Sequence, residues 1–74
     1  MEHFIVKFDP KDIRDVLLDG MRYGQTETAL MADTDDYIVT LSGTGYTPTS
    51  QDVLINGTTT ENPCVIQFQK TGAG

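Results

Sequence analysis

Four short stretches of this chain alternate apolar and polar residues with period two, and turn residues break each one off. In His3-Phe4-Ile5-Val6-Lys7-Phe8, the side chains of Phe4, Val6 and Phe8 share one face. Tyr37, Val39 and Leu41 share a face in residues 37–42, Val53 and Ile55 in residues 52–56, and Cys64, Ile66 and Phe68 in residues 64–69. Side chains alternate across a strand, so each stretch predicts a strand with one buried face. Asp19-Gly20, Gly43-Thr44-Gly45, Pro48 and Asn56-Gly57 lie between them. Asp-Gly and Asn-Gly favour the positive φ of tight hairpins, and Asn56-Gly57 reads as a type I′ turn. Short strands at roughly ten-residue spacing predict an antiparallel β-sandwich or small barrel.

Residues 9–20 carry two competing patterns. As a helix, Asp9 is the N-cap, Pro10 stands at the first position, Ile13, Val16 and Leu17 form a stripe, and Gly20 stops it. As a strand, Asp15 to Leu18 runs into an Asp19-Gly20 hairpin turn. Thr28 to Ala32 is weakly helical by propensity and short. Residues 1–70 read as a single domain, and 71–74, Thr-Gly-Ala-Gly, as a flexible tail with nothing to pack.

Size and composition exclude several classes of chemistry. A 74-residue chain removes only roughly 60% of its unfolded surface from water, which leaves a thin core. One Cys excludes an internal disulfide, and one Cys with one His cannot furnish a protein-only zinc site. A net charge of -6 disfavours nucleic acid and anionic membrane surfaces as partners. No run approaches the roughly 20 apolar residues that cross a bilayer, so membrane insertion is not expected. Met1-Glu2-His3-Phe4 lacks the basic and apolar regions of a signal peptide. The expectation is therefore a cytoplasmic or virion-associated protein rather than a secreted one, with Cys64 reduced.

Laid end to end, these segments resemble the PEGA domain family. Its pattern runs strand, Pro-rich turn, V-x-x-D-G-x-x-x-G-x-T-P, then Y-x-V-x-L-x-x-x-G-Y-x-P, then two more strands. Pro10, Val16-Leu17-Leu18-Asp19-Gly20 and Gly24-Gln25-Thr26 match the first part, and Tyr37 to Pro48 the second. The resemblance covers residues 4–69. It departs at Pro10-Lys11-Asp12-Ile13, which lacks the naming Gly and Ala, and at one insertion before Val16. Glu27 stands at the family's Pro and Asp36 at a usual Gly. The resemblance implies a small prealbumin-like β-sandwich, favours strand for residues 15–19 with a hairpin to 22–27, and leaves a short helical turn near residues 10–14. It also implies an accessory, non-catalytic role in surface or envelope assemblies.

The motifs that invite chemistry have simpler readings. Asp33-Thr34-Asp35-Asp36 lacks the Gly and distal Glu of an EF-hand loop, so it reads as a solvated turn with Asx-type hydrogen bonds rather than a calcium site. Ser42-Gly43 lacks the preceding Gly of a nucleophile elbow, because Thr40 stands there. Gly43-Thr44-Gly45 has Pro48 at the third glycine of a dinucleotide loop. His3 reads as a solvent-facing strand residue, Cys64 as a small buried hydrophobe, and Tyr46 as a corner-packing residue with its hydroxyl on backbone. Asn56-Gly57-Thr58 also fits a glycosylation sequon, which has meaning only in a secreted protein. No catalytic, cofactor or metal residues are expected.

A partner surface is the remaining expectation. Thr47, Thr49, Thr58, Thr59 and Thr60 flank the strand at 52–56, and together with Asp33, Asp35 and Asp36 they are the candidate contact residues. Three readings follow. One is a structural, assembly or adhesion module, such as an accessory protein of a phage particle or cell envelope, acting on a protein partner or on itself through edge strands. Another is an acidic inhibitor that mimics nucleic acid, with Asp9, Asp12, Asp15 and Asp19 on one arm and Asp33, Asp35 and Asp36 on the other. The third is a carbohydrate-binding module that uses the exposed Thr.

Overall fold

The alternating segments become strands, and the strands stack into two sheets. The computed structural model describes residues 1–71 and contains β1 (Glu2–Asp9), β2 (Asp15–Leu18), β3 (Met21–Gln25), β4 (Ala29–Ala32), β5 (Asp35–Leu41), β6 (Tyr46–Thr47), β7 (Gln51–Ile55) and β8 (Cys64–Lys70). One sheet has the order β4-β1-β8-β6 and the other β3-β2-β5-β7. All pairings are antiparallel except β1 with β8, whose parallel register runs from Phe4↔Cys64 to Asp9↔Gln69. The fold is the expected β-sandwich.

The period-two faces predict the core correctly. Phe4, Val6 and Phe8 of β1 and Ile66 and Phe68 of β8 pack against Val16, Leu18, Val39, Leu41 and Ile55 of the facing sheet, and Ala32 of β4 joins them. Each of the Phe, Val, Leu and Ile side chains contributes roughly 1.5–3 kcal/mol by leaving water, and the largest, Phe4 and Phe68, are fully buried. Asp19 (φ 52°) and Gly20 (φ 82°) form the hairpin between β2 and β3, both with the positive φ of a type I′ turn. Asp19 also ties this turn to β5: its N–H donates to the Ile38 carbonyl, and its Oδ1 accepts from the Ile38 N–H, both at 2.9 Å.

Four local expectations are corrected. No helical turn forms near residues 10–14; among the described residues there is no helix at all. The groups such a turn would use are taken by the chain just past β3, the neighbour of β2 in the same sheet: Asp12 C=O accepts from the Thr26 hydroxyl and Arg14 N–H donates to it. The weakly helical Thr28–Ala32 segment instead holds β4, because pairing with β1 and burial of Ala32 outweigh local propensity. At Asn56-Gly57, Gly57 alone of the two has positive φ (70°), so the type I′ turn is absent. The segment 56–63 starts there and crosses from one sheet to the other, since β7 and β8 lie in different sheets. Finally, Asp35 and Asp36 belong to β5 rather than to a turn.

Of the expected tail, Thr71 donates its N–H to the Gly45 carbonyl at 3.0 Å, and residues 72–74 lie outside the described residues.

Candidate interaction surface

The pairings give the sandwich two distinct ends. At one, where β1 begins, lie Glu2, residues 32–35, the segment 56–63 and Cys64; at the other lie Asp9 to Arg14, Ser42 to Thr49 and Lys70.

The second end is locked internally. Thr26 is a fully buried polar residue whose hydroxyl donates to Asp12 C=O (2.7 Å) and accepts from Arg14 N–H (2.9 Å). The Arg14 guanidinium lies over Phe8, 4.7 Å from the ring centroid, and 5.8 Å from that of Tyr46. Its Nη1 donates to the carbonyls of Thr44 (2.7 Å) and Ser42 (3.3 Å), and its Nε pairs with Asp12. Tyr46 packs edge-on against Phe68, and its hydroxyl accepts from Leu41 N–H and donates to Leu41 C=O, as expected for a corner-packing tyrosine. Gly43 (φ 81°) makes room: a Cβ there would stand 3.2 Å from Arg14 Nη1.

The first end is acidic. Glu2 is its anchor, a residue the sequence did not single out because its partners are 32 and 56 positions away. Its Oε2 accepts from the Thr34 hydroxyl and its Oε1 from the Thr58 hydroxyl, both at 2.6 Å, while Thr58 N–H also donates to Oε1 at 2.9 Å. These bonds stabilise the carboxylate and lower its pKa to about 2. Nearby on the outer face, the Asp52 carboxyl bonds Asp36, and this contact, with burial and the charges of Asp52, Asp35 and Asp19, raises the Asp36 pKa. Asp35 Oδ1 accepts from Asp36 N–H in a local Asx-type bond, and Tyr37 donates its hydroxyl to Asp33 C=O.

The candidate residues do not form one patch. Thr58, Thr59 and Thr60 share the acidic end with Asp33, Asp35 and Asp36, whereas Thr47 and Thr49 lie beyond the other end of β7. Thr58 is already committed to Glu2 and His3, and the Thr59 hydroxyl accepts from Asn62 N–H, so two of the loop hydroxyls serve the fold. In the other carboxylate arm two of the four are ion-paired, Asp15 with Arg22 and Asp12 with Arg14. Cys64 is half-buried against the core, and burial raises its thiol pKa, which keeps the nucleophilic thiolate scarce. His3 faces outward but is half-buried in a hollow of about 110 Å³ with Ile5, Leu30, Thr60 and Pro63. Among the described residues, no three His, Cys, Asp or Glu side chains are grouped to hold a metal ion.

The two long sides of the sandwich differ more than its faces. On the β3–β4 side, the Tyr23 hydroxyl of one sheet donates to the Met31 carbonyl of the other (2.5 Å), and Glu27 N–H donates to Val6 C=O (2.8 Å). On the β7–β8 side, β6 covers only Gln69 and Lys70, so among the described residues no strand pairs with β8 from Cys64 to Gln67 or with the outer edge of β7. Gln51 bridges the two strands: its Nε2 donates to Gln67 C=O at 2.7 Å.

A family model for the PEGA domain matches residues 6–70. The chain belongs to the PEGA domain family. Neither the curated proteins nor the solved structures contain a significant match. Within the PEGA pattern, Thr26 is the Thr of Gly-x-Thr and supplies the buried hydroxyl described above. Glu27 has φ 62°, which a proline ring cannot adopt, so the departure at this position accompanies a different backbone turn. Its carboxylate accepts from Phe8 N–H at 2.9 Å and contacts Lys7 Nζ at 3.5 Å; chiefly the Phe8 bond lowers its pKa. With Asp9, Lys11, Gln67 and Gln69, these residues line an open polar cleft of about 490 Å³.

Proposed function

We propose that this PEGA domain is a non-catalytic assembly module that works through protein–protein contacts along its β7–β8 side, as an accessory unit of a larger structure such as a phage particle or a cell envelope. The open edge on that side carries the reading. Unpaired strand edges are templates for another chain, and proteins that do not use them normally cover or charge them. Exposed Leu54 and Val65 stand on these two strands, 62% and 58% accessible, and supply apolar contact beside the free backbone. A second reading, an acidic inhibitor of a basic protein, is supported by the carboxylates gathered at the β1-start end. The carbohydrate reading loses its Thr platform, because the five residues are divided between two ends and two hydroxyls are engaged.

Site-specific photo-crosslinking in the producing cell or particle tests the main reading. Crosslinkers at positions 54 and 65 are expected to yield protein adducts, and one at position 22 to yield none. Adducts from position 22 alone, or none from any position, overturn it. Adducts confined to a crosslinker at position 33 favour the inhibitor reading instead.

A further inference from the structure

The four strand edges of the sandwich are not equally protected. The β3 edge carries exposed Arg22 and sits beside a bulge at Val16/Leu17, a common way to blunt an edge. On the β4 edge, the Met31 carbonyl is occupied by the Tyr23 hydroxyl. The β7 edge has Asp52, with the Asp36 carboxyl against it. By contrast, β8 from Cys64 to Gln67 reads Cys-Val-Ile-Gln, with no charge, proline or bulge, and among the described residues no strand pairs with it on the side away from β1.

The backbone directions at this gap follow from one bond. The Gln67 carbonyl receives the Gln51 amide, so it points away from β1. In an extended strand, N–H and C=O groups two residues apart point the same way, so Val65 also offers both of its groups to the open side. The Gln51 amide already sits where the N–H of an added strand would donate. The gap opens toward the acidic end: Asp33, Asp35, Asp36 and Glu61 lie there with Glu2, and no Lys or Arg occurs between Arg22 and Lys70.

We propose that the β8 edge accepts an extended segment of a partner protein, about four uncharged residues pairing with Val65 and Gln67, followed by Lys or Arg at the end that reaches the carboxylates around Asp33 to Asp36 and Glu61. The inference rests on the protein-contact reading above and adds which edge is used and what the partner carries. The incoming strand displaces Gln51 from Gln67 and extends the β4-β1-β8-β6 sheet, while side chains facing Val65 gain apolar contact. A second copy of this chain is a poorer occupant, since its net charge of -6 meets the same acidic end.

Panning random eight-residue peptides against the full chain tests this. Enriched peptides are expected to hold an uncharged, β-branched stretch with Lys or Arg at one terminus. As synthetic peptides they are expected to shift the Val65 and Gln67 amide resonances. Val65→Pro removes the outward N–H at an edge that tolerates proline, and is expected to weaken binding at least tenfold. Val65→Lys does the same by charge if the proline variant does not fold, while Met21→Lys at an exposed position of β3, on the far side of the sandwich, leaves affinity within twofold. No enrichment, or binding indifferent to Val65 and without basic bias, overturns the proposal. If panning fails but positions 54 or 65 still crosslink, the protein-contact reading survives and this edge assignment falls. If peptides bind as expected but nothing crosslinks in the cell, the edge assignment stands and the assembly role falls.

Discussion

The β3–β4 side and the β7–β8 side solve the same problem in opposite ways. Each is a place where two sheets end and backbone groups need partners. On the β3–β4 side the chain supplies those partners itself: Tyr23 to Met31, Glu27 to Val6 and Phe8, and Thr26 to Asp12 and Arg14. On the β7–β8 side, among the described residues, one glutamine reaches across. The difference separates stability from availability. One side is built from bonds the fold cannot lose without cost, and the other leaves strand edges that no strand pairs among the described residues.

Three substitutions break or sharpen that contrast. Thr26→Val keeps the shape of a fully buried side chain but strands the Asp12 carbonyl and the Arg14 N–H, so urea denaturation is expected to show a loss of about 2–3 kcal/mol. A loss below about 0.5 kcal/mol would mean that the closed side is held by packing alone.

Glu27→Gln tests the same side through pH. The Glu27 pKa is lowered in the folded state, so its contribution is fully present above the ordinary carboxylate value of 4.5 and is lost as pH falls through the lower folded value. The melting temperature of the variant is expected to lie below that of the parent at pH 7, and the two are expected to converge in acid. A gap that does not change with pH would show that the carboxylate charge contributes nothing.

Gln51→Ala removes the bridge on the open side and is expected to cost least, about 0.5–1 kcal/mol. Faster amide exchange confined to Gln67 and its neighbours would accompany it. A destabilisation as large as that of Thr26→Val would erase the distinction between the sides.

How much of this the sequence shows depends on how local the cause is. The core faces are legible because period-two alternation is written in consecutive residues: Phe4, Val6, Phe8, Ile66 and Phe68 all lie where the pattern puts them. The β2–β3 hairpin is legible because Asp19-Gly20 holds the positive φ that its turn requires. Ala29–Ala32 has no such signature, and its strand exists because β1 is beside it. Thr26 is visible only as a letter in the family pattern, and its burial comes from contacts with residues 12 and 14. The grouping of the candidate contact residues is not legible from their spacing. Residues near one another in sequence, such as Thr49 and Thr58, are carried to opposite ends by the strand between them, and the open edge of β8 is a property of a neighbour that stops after two residues.

The parallel pairing of β1 with β8 has a mechanical consequence. The chain enters β1 at one end of the sandwich and leaves β8 at the other, and six residue pairs from Phe4↔Cys64 to Asp9↔Gln69 bind the two strands side by side. Tension between the ends would slide one strand past the other along their common axis. The bonds are then loaded together in shear instead of peeling apart one by one.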